Sequence, residues 1–306
     1  MHKSLRGTIY ALIAGICWGF SGTVGQFLFS HTAIDSGWLT TVRLLVSGLI
    51  LLVMAALQRP QSVTDVWKNR RDALQLVFFG IAGLMAVQYC YMEAIFYSDS
   101  GTATAVQYTG EAMLLVYTCI TARRLPKRSE FFGLVLALFG IFLLATHGSF
   151  SGLVLSPAGL FWGLTAAVAL MIYTASPCRL IEKYGSISVT AQGMLIGGLA
   201  LGLLLRVWNI PGAYTPEALA GIAAIVLIGT VLGFTIYLKS TVLIGPLKAG
   251  LIAAVETVSA PFFSRVWLKT PFQPVDYLGF LCILSMVFLI SLPELRKERA
   301  QAPQNS

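Results

Sequence analysis

The chain has 306 residues and a formal charge of +8; it is 57% hydrophobic and only 11% charged. A soluble domain carries about 25% charged residues, and a mean hydropathy of +0.78 would leave a soluble fold with far too much apolar surface exposed. An ordinary water-soluble protein is therefore excluded, and continuously apolar runs argue against a β-barrel, whose strands alternate in polarity over about ten residues.

Ten runs of spanning length follow one another, at roughly residues 8–29, 37–57, 73–96, 101–121, 131–147, 156–177, 187–208, 217–237, 246–267 and 274–292. Lys3 and Arg6 precede the first run as in a signal peptide. That run is long and no small-residue cleavage site follows it, so it reads as the first helix. The connections are short and leave no room for a separate soluble domain. The tail from Glu294 to Ser306 is polar and is expected to be disordered.

The basic residues are unevenly placed. With the N-terminus inside and the chain alternating, the inner segments receive Lys3, Arg6, Arg59, Lys68, Arg70, Arg71, Arg123, Arg124, Lys127, Arg128, Arg179, Lys183, Lys239, Arg296, Lys297 and Arg299. The outer ends receive Arg206, Arg265 and Lys269. This is the positive-inside bias. It predicts a multi-pass plasma (inner) membrane protein with both termini cytosolic, and it accounts for the charge without a nucleic-acid partner.

The two halves resemble each other. Gly101–Gln107 leads to Glu111, a basic loop and then Gly133; Gly245–Gly250 leads to Glu256, a polar loop and then Gly279. Five helices per half is an odd number, so the second half starts from the opposite side of the membrane and the repeats are inverted. The expected fold class is an all-α membrane protein of about ten transmembrane helices. Residues 1–148 form the first five-helix repeat, 149–293 the second, and 294–306 a cytosolic polar tail.

Glu256 lies midway along the apolar stretch Leu247–Trp267, and Glu111 midway along Thr102–Ala122. A charge at mid-bilayer depth is costly and faces a protein interior or a water-filled cavity. Each is a candidate to bind a proton, a cation or a substrate amine; the bland reading is a protonated Glu bonded to a neighbouring helix. Gln107 stands one turn before Glu111, with Tyr108 beside it. Glu93, expected near the outer end of helix 3 and close to water, follows Gln88 and Tyr89 by about one turn. Arg43 is a candidate to hold a substrate carboxylate, although a snorkelling side chain or one paired with a helix end is the favoured reading; Lys248 is read the same way. Trp18 and Tyr89 are candidates to stack on a flat substrate, against a plainer role in helix packing.

Other chemistry is absent from the sequence. Cys17, Cys90, Cys119, Cys178 and Cys282 lie in or beside apolar runs without metal-ligand spacing. No phosphate loop and no zinc motif occur. His2, His31 and His147 are far apart, and no acid lies near His147 in the sequence. No metal, cofactor or enzyme activity is expected.

Four stretches together resemble one family: Cys17–Gly22 with its Trp-Gly pair, Arg43–Leu49 with Gly48, Ala94–Ala105 between helices 3 and 4, and Gly245–Glu256 leading into helix 9. The ordered set is similar to the ten-helix EamA-type transporters of the drug/metabolite transporter superfamily. Two features depart from that pattern. Thr257, not proline, follows Glu256, the nearest proline being Pro261; and Ala122–Arg124 and Leu268–Thr270 stand where many members carry Leu-Gly-Glu. The resemblance implies secondary transport of a small organic metabolite by alternating access, through a cavity lined by helices 1, 3, 4, 6, 8 and 9. An exporter of amino acids or related compounds is the leading expectation. An importer or exchanger of sugars, nucleobases or drug-like compounds is the alternative, and a membrane enzyme or non-transporting scaffold the alternative of another class. Protons coupled through Glu256 or Glu111 fit, as does simple exchange, and so does a monomer or a homodimer.

Overall fold

The computed structural model describes residues 3–149, 152–207 and 215–301. His2, residues 150–151 beside the expected boundary between the halves, the connection at 208–214, and 302–306 of the tail lie outside the described residues. Among the described residues, every regular element is helical.

Nine stretches among the described residues are long and apolar enough to cross a membrane. They are α1 (Lys3–His31), α2 (Ser36–Gln58), α3 (Arg70–Tyr97), α5 (Arg128–Thr146), α6 (Pro157–Ala175), α7 (Ser186–Leu205), α8 (Pro216–Ile244), α9 (Pro246–Trp267) and α10 (Pro274–Pro293). The remaining expected span, α4, is helical over Ser100–Tyr108 and again over Gly110–Thr121. Expected as one run over 101–121, it turns at Thr109. Gln107, Glu111 and several threonines make it more polar than the others, as a helix facing protein rather than lipid can be. The helix of α10 continues to Gln301, so the tail expected to be disordered is helical up to that residue.

The packing shows the internal repeat. α5 lies along α10, α2 along α7, α3 along α6, and α1 along α8. Exchanging α1–α5 with α6–α10 leaves this set of pairs unchanged. The partnership of α4 with α6 likewise matches that of α9 with α1, and α4 packs on α9. Local irregularities repeat too: π-helical turns occupy Phe79–Met85 in α3 and Ile225–Leu232 in α8, and α9 breaks at Ala254–Val255 as α4 breaks at Thr109.

The helix starts are secured in matching ways. At the start of α5, Glu130 accepts the Lys127 N–H at 2.7 Å and a bidentate pair from Arg124 at 2.7 and 3.1 Å. At the start of α10, Asp276 accepts the Gln273 N–H at 2.8 Å and lies 3.0 Å from His147 Nε2. These carboxylates satisfy N–H groups that a helix start leaves unpaired. No acid lies near His147 in the sequence, and it is the α5–α10 pairing that brings Asp276 to it from far along the chain.

Two short helices that the sequence did not announce, Pro60–Lys68 and Cys178–Tyr184, sit at the end of the bundle that carries the basic loops. There the buried Asp72 accepts hydrogen bonds from Arg179, from Lys183 Nζ at 2.8 Å and from the Tyr184 hydroxyl at 2.8 Å. The bond to Asp72 holds the Lys183 ammonium above the ordinary lysine range. Trp67 Nε1–H donates to Gln192 Oε1 at 2.7 Å, and the Ser188 hydroxyl to the Ser62 carbonyl at 2.8 Å. These contacts join the two halves at the basic end.

Lipid tails are as apolar as leucine, so helix association in a bilayer rests on close packing and interhelical hydrogen bonds. Gly19 on α1 serves that contact: a Cβ there would lie 2.8 Å from the backbone nitrogen of Ala260 on α9. Gly19→Ala should therefore destabilise the fold by about 1–3 kcal/mol, the usual cost of overpacking. Gly152→Ala, where a Cβ meets nothing within 4 Å, should stay within about 0.5 kcal/mol. Thermal unfolding of the two variants in detergent checks the difference.

Candidate functional site

The two breaks bring the charged residues to the centre. Glu256 is the first residue of the second half of α9, Glu256–Trp267, and Glu111 the second residue of the corresponding half of α4, Gly110–Thr121. A helix start exposes unpaired N–H groups and a positive dipole end, which favour a carboxylate. In both repeats the chain thus lowers the cost of an interior acid by restarting a helix beside it.

Glu256 is 8% exposed, and its Oε2 accepts a hydrogen bond from the Tyr108 hydroxyl at 2.9 Å. That bond crosses from α4 to α9. Gln107 is buried next to Tyr108. Glu111 is half-buried and within electrostatic reach of Tyr108 and Tyr237. Trp18 packs against Phe234 and Tyr237 with ring centroids 5.3 and 5.1 Å apart, and its indole N–H is buried without a hydrogen-bond partner.

Arg43 corrects the favoured sequence reading. It does not snorkel: it is 4% exposed, and its Nε–H donates to Thr230 Oγ1 at 2.8 Å. Thr230 donates in turn to the Ile225 carbonyl at 3.0 Å within the π-helical turn of α8. The Nη1 of Arg43 is buried without a hydrogen-bond partner. Its guanidinium lies within electrostatic reach of Glu256 and of Tyr91, yet makes no ion pair with Glu256. Tyr91 is held in place by a 2.8 Å bond to the Thr104 hydroxyl.

The remaining candidates lie elsewhere. Glu93, expected close to water, is only 9% exposed. It accepts the Ser36 hydroxyl at 2.5 Å, tying α2 to α3. The Tyr89 ring meets Trp162 edge-on at 5.6 Å. Lys248 is half-buried on the first half of α9, two turns from Glu256 toward the basic end. Through Tyr108 and Tyr237 the structure links Glu256, Glu111, Arg43 and Trp18; Gln107 is buried beside Tyr108 in the chain without a hydrogen bond to this group, and Tyr89, Glu93 and Lys248 lie outside it. Among the described residues, no three His, Cys, Asp or Glu side chains cluster as metal ligands.

The end opposite the basic loops is sealed by a polar network that the sequence reading missed. Gln26 Nε2 donates to Thr270 Oγ1 at 3.0 Å, and its Oε1 accepts the Ser100 N–H at 2.9 Å and the Ser264 hydroxyl at 2.8 Å. The Ser264 and Thr270 hydroxyls are 2.6 Å apart. Gly101 lets α4 approach Pro261 of α9, where a Cβ would meet the proline Cβ at 2.8 Å. Toward the basic end, the second half of α4 and the first half of α9 have no comparable packing. Tyr108, Glu111, Tyr237 and Lys248 are each only half-buried there.

A multi-pass helical bundle of two related halves, with acids and a buried arginine at their junction, is the architecture of a membrane transporter. The model of the EamA-like transporter family matches residues 5–146 and 157–292, and the chain belongs to that family. It is 35% identical, over 98% of this chain and 100% of the relative, to a protein of Salmonella typhimurium (strain LT2) named as the uncharacterized inner membrane transporter YicL. A Bacillus subtilis (strain 168) protein named as the uncharacterized transporter YcbK is 20% identical, over 97% of this chain and 95% of that one. A solved crystal structure, 16% identical, shares the fold with a TM-score of 0.62 over 97% of this chain and 98% of its own.

Tyr108→Phe removes one hydrogen bond to a charged group while preserving the ring, a loss of about 1.5–3 kcal/mol. If the Tyr108–Glu256 bond matters to function, Tyr108→Phe should lower solute exchange by about tenfold or more. Adding it to Glu256→Gln should cost little further, because the two act as one unit. Exchange rates of both single variants and the double variant, at equal amounts of folded protein, check this.

Proposed function

We propose that this chain is a secondary transporter exporting a small organic metabolite, an amino acid or a related compound, across the inner membrane by alternating access. The observation that carries the reading is the Tyr108–Glu256 bond at the junction of two broken helices that meet at one end and part at the other. A solute amine or a proton at Glu256 competes with Tyr108, and so loosens the contact between α4 and α9.

The positive-inside bias makes the basic end cytosolic, with both termini on that side. On this reading the half-buried side at Glu111, Tyr237 and Lys248 faces the cytosol and the Gln26 network closes the outside, the state in which an exporter loads. Opening the Gln26 network while the basic ends of α4 and α9 come together gives the opposite state, as the inverted relation of the halves permits. One chain contains both halves, so a single copy suffices for the pathway.

The test is counterflow in proteoliposomes of purified protein, against amino acids, sugars and nucleobases. Saturable exchange of amino acids, lowered about tenfold or more by Glu256→Gln, is expected. No exchange of any amino acid by well-folded protein sinks the reading. The access geometry has its own check in a cysteine-free background. Glu111→Cys should react with a membrane-impermeant thiol reagent supplied from the basic end, and Ser264→Cys should resist the reagent from either side until substrate is cycling. Equal reactivity of both positions without substrate would rule out the sealed-end state.

A further inference from the structure

We propose that Arg43 and Glu256 are the two poles of a single recognition site. Arg43 Nη1 takes the carboxylate of the solute and Glu256 its ammonium group, so that the chain selects zwitterions over molecules carrying one charge alone. This rests on the transporter reading above and adds the assignment of each charge to a residue.

The case begins with Arg43. A guanidinium offers five N–H donors, and burying it without partners is expensive. Thr230 accepts from Nε, a neutral contact that fixes the plane of the group without neutralising it. Nη1 is buried and has no hydrogen-bond partner. Glu256 is the acid within electrostatic reach, yet the two do not pair. Had the fold needed only to neutralise Arg43, a direct bidentate pair was the economical arrangement. Instead Tyr108 holds Glu256 from α4, and Thr230 holds Arg43 from the π-helical turn of α8. Each charge is thus oriented by a neutral neighbour and kept off the other. An α-amino acid carries its ammonium and carboxylate groups on one carbon, so that it would offer each pole its counter-charge at once. An amine alone leaves Arg43 unpaired, and an acid alone leaves Glu256 unpaired.

Thr230 is a positioning residue in this scheme. Its hydroxyl is donor to Ile225 and acceptor from Arg43, so it sets where Nη1 points without touching the solute.

The experiment uses proteoliposome counterflow with phenylalanine, leucine, threonine and glutamine, each beside its decarboxylated amine and its deaminated acid. Wild-type protein should exchange zwitterions in preference to both relatives. Arg43→Gln should lower zwitterion exchange by about tenfold or more while leaving or raising that of the amine; Glu256→Gln should do the converse for the acid. Arg43→Lys should restore part of the zwitterion preference. Thr230→Val should raise the KM for zwitterions and leave that for amines unchanged, and Thr230→Ser should restore it; this split separates positioning from a merely structural role. Arg43→Gln that lowers exchange of amine and zwitterion alike, or wild-type protein that takes amines as well as zwitterions, overturns the assignment and leaves the transporter reading standing. No exchange of any zwitterion by well-folded wild-type protein overturns both.

Discussion

Backbone polar groups inside a bilayer have no water to bond to, so a helix can break at mid-depth only where protein covers the break. The rest of this structure depends on that constraint. α4 and α9 are the two spans that turn in their middles, at Thr109 and at Ala254–Val255, and they are packed against each other and against α6 and α1. Each turn creates a new helix start inside the protein, and an acid, Glu111 or Glu256, stands in its first turn. The break, the buried acid and the junction of the halves follow from one another. A carboxylate is tolerable there because a helix start faces it, and the helix start is tolerable because neighbouring spans cover it.

The two-fold relation between the halves is close in the outer helix pairs and broken at the centre. α5 with α10 and α2 with α7 are long side-by-side contacts, in which small residues meet aliphatic chains, as Gly140 meets Ile283 and Gly48 meets Leu195. The contact of α4 with α9 is different. It is held at one end by Gln26, Ser100, Ser264 and Thr270. Hydroxyl and amide bonds between membrane helices average about 0.6 kcal/mol each, so the network as a whole amounts to about 2–3 kcal/mol. That is enough to close one end and small enough to be exchanged for a similar set at the other. On the proposed alternating-access reading, the outer pairs would serve as the frame and α4 and α9 as the parts that move.

Much of the frame was legible in the sequence. Length and hydropathy located most of the spans to within a few residues, the eighth running seven residues past its expected end to Ile244, and the Glu111–Gly133 and Glu256–Gly279 spacings pointed to the repeat. Glu256 stood out because a charge in an apolar run has few innocent explanations. The missed features have a common cause: they are short, polar and defined by partners distant in sequence. Gln26, Ser264 and Thr270 look like unremarkable helix-end residues until the fold brings them together. The helix Cys178–Tyr184 is too short to carry a period, and its role depends on Asp72. His147 meets Asp276 only through the pairing of α5 with α10. The Trp162–Gly163 pair, which repeats Trp18–Gly19 in the second half, was a signal present in the sequence and left unused.

Arg43 was misread for a physical reason. From sequence, an arginine a few residues into a span is most cheaply placed with its head at the interface, and nothing local argues otherwise. What holds it inside is Thr230, from the opposite half of the chain, at a π-helical turn that hydropathy does not reveal. The consequence reaches beyond one side chain. Arg43 belongs to α2, one of the outer pairs, whereas Glu256 belongs to α9, which the proposed cycle would move. A solute bonded to both charges would tie α9 to α2. Binding energy would then be spent where the conformational change is made, which is the condition for a ligand to shift an equilibrium between two states.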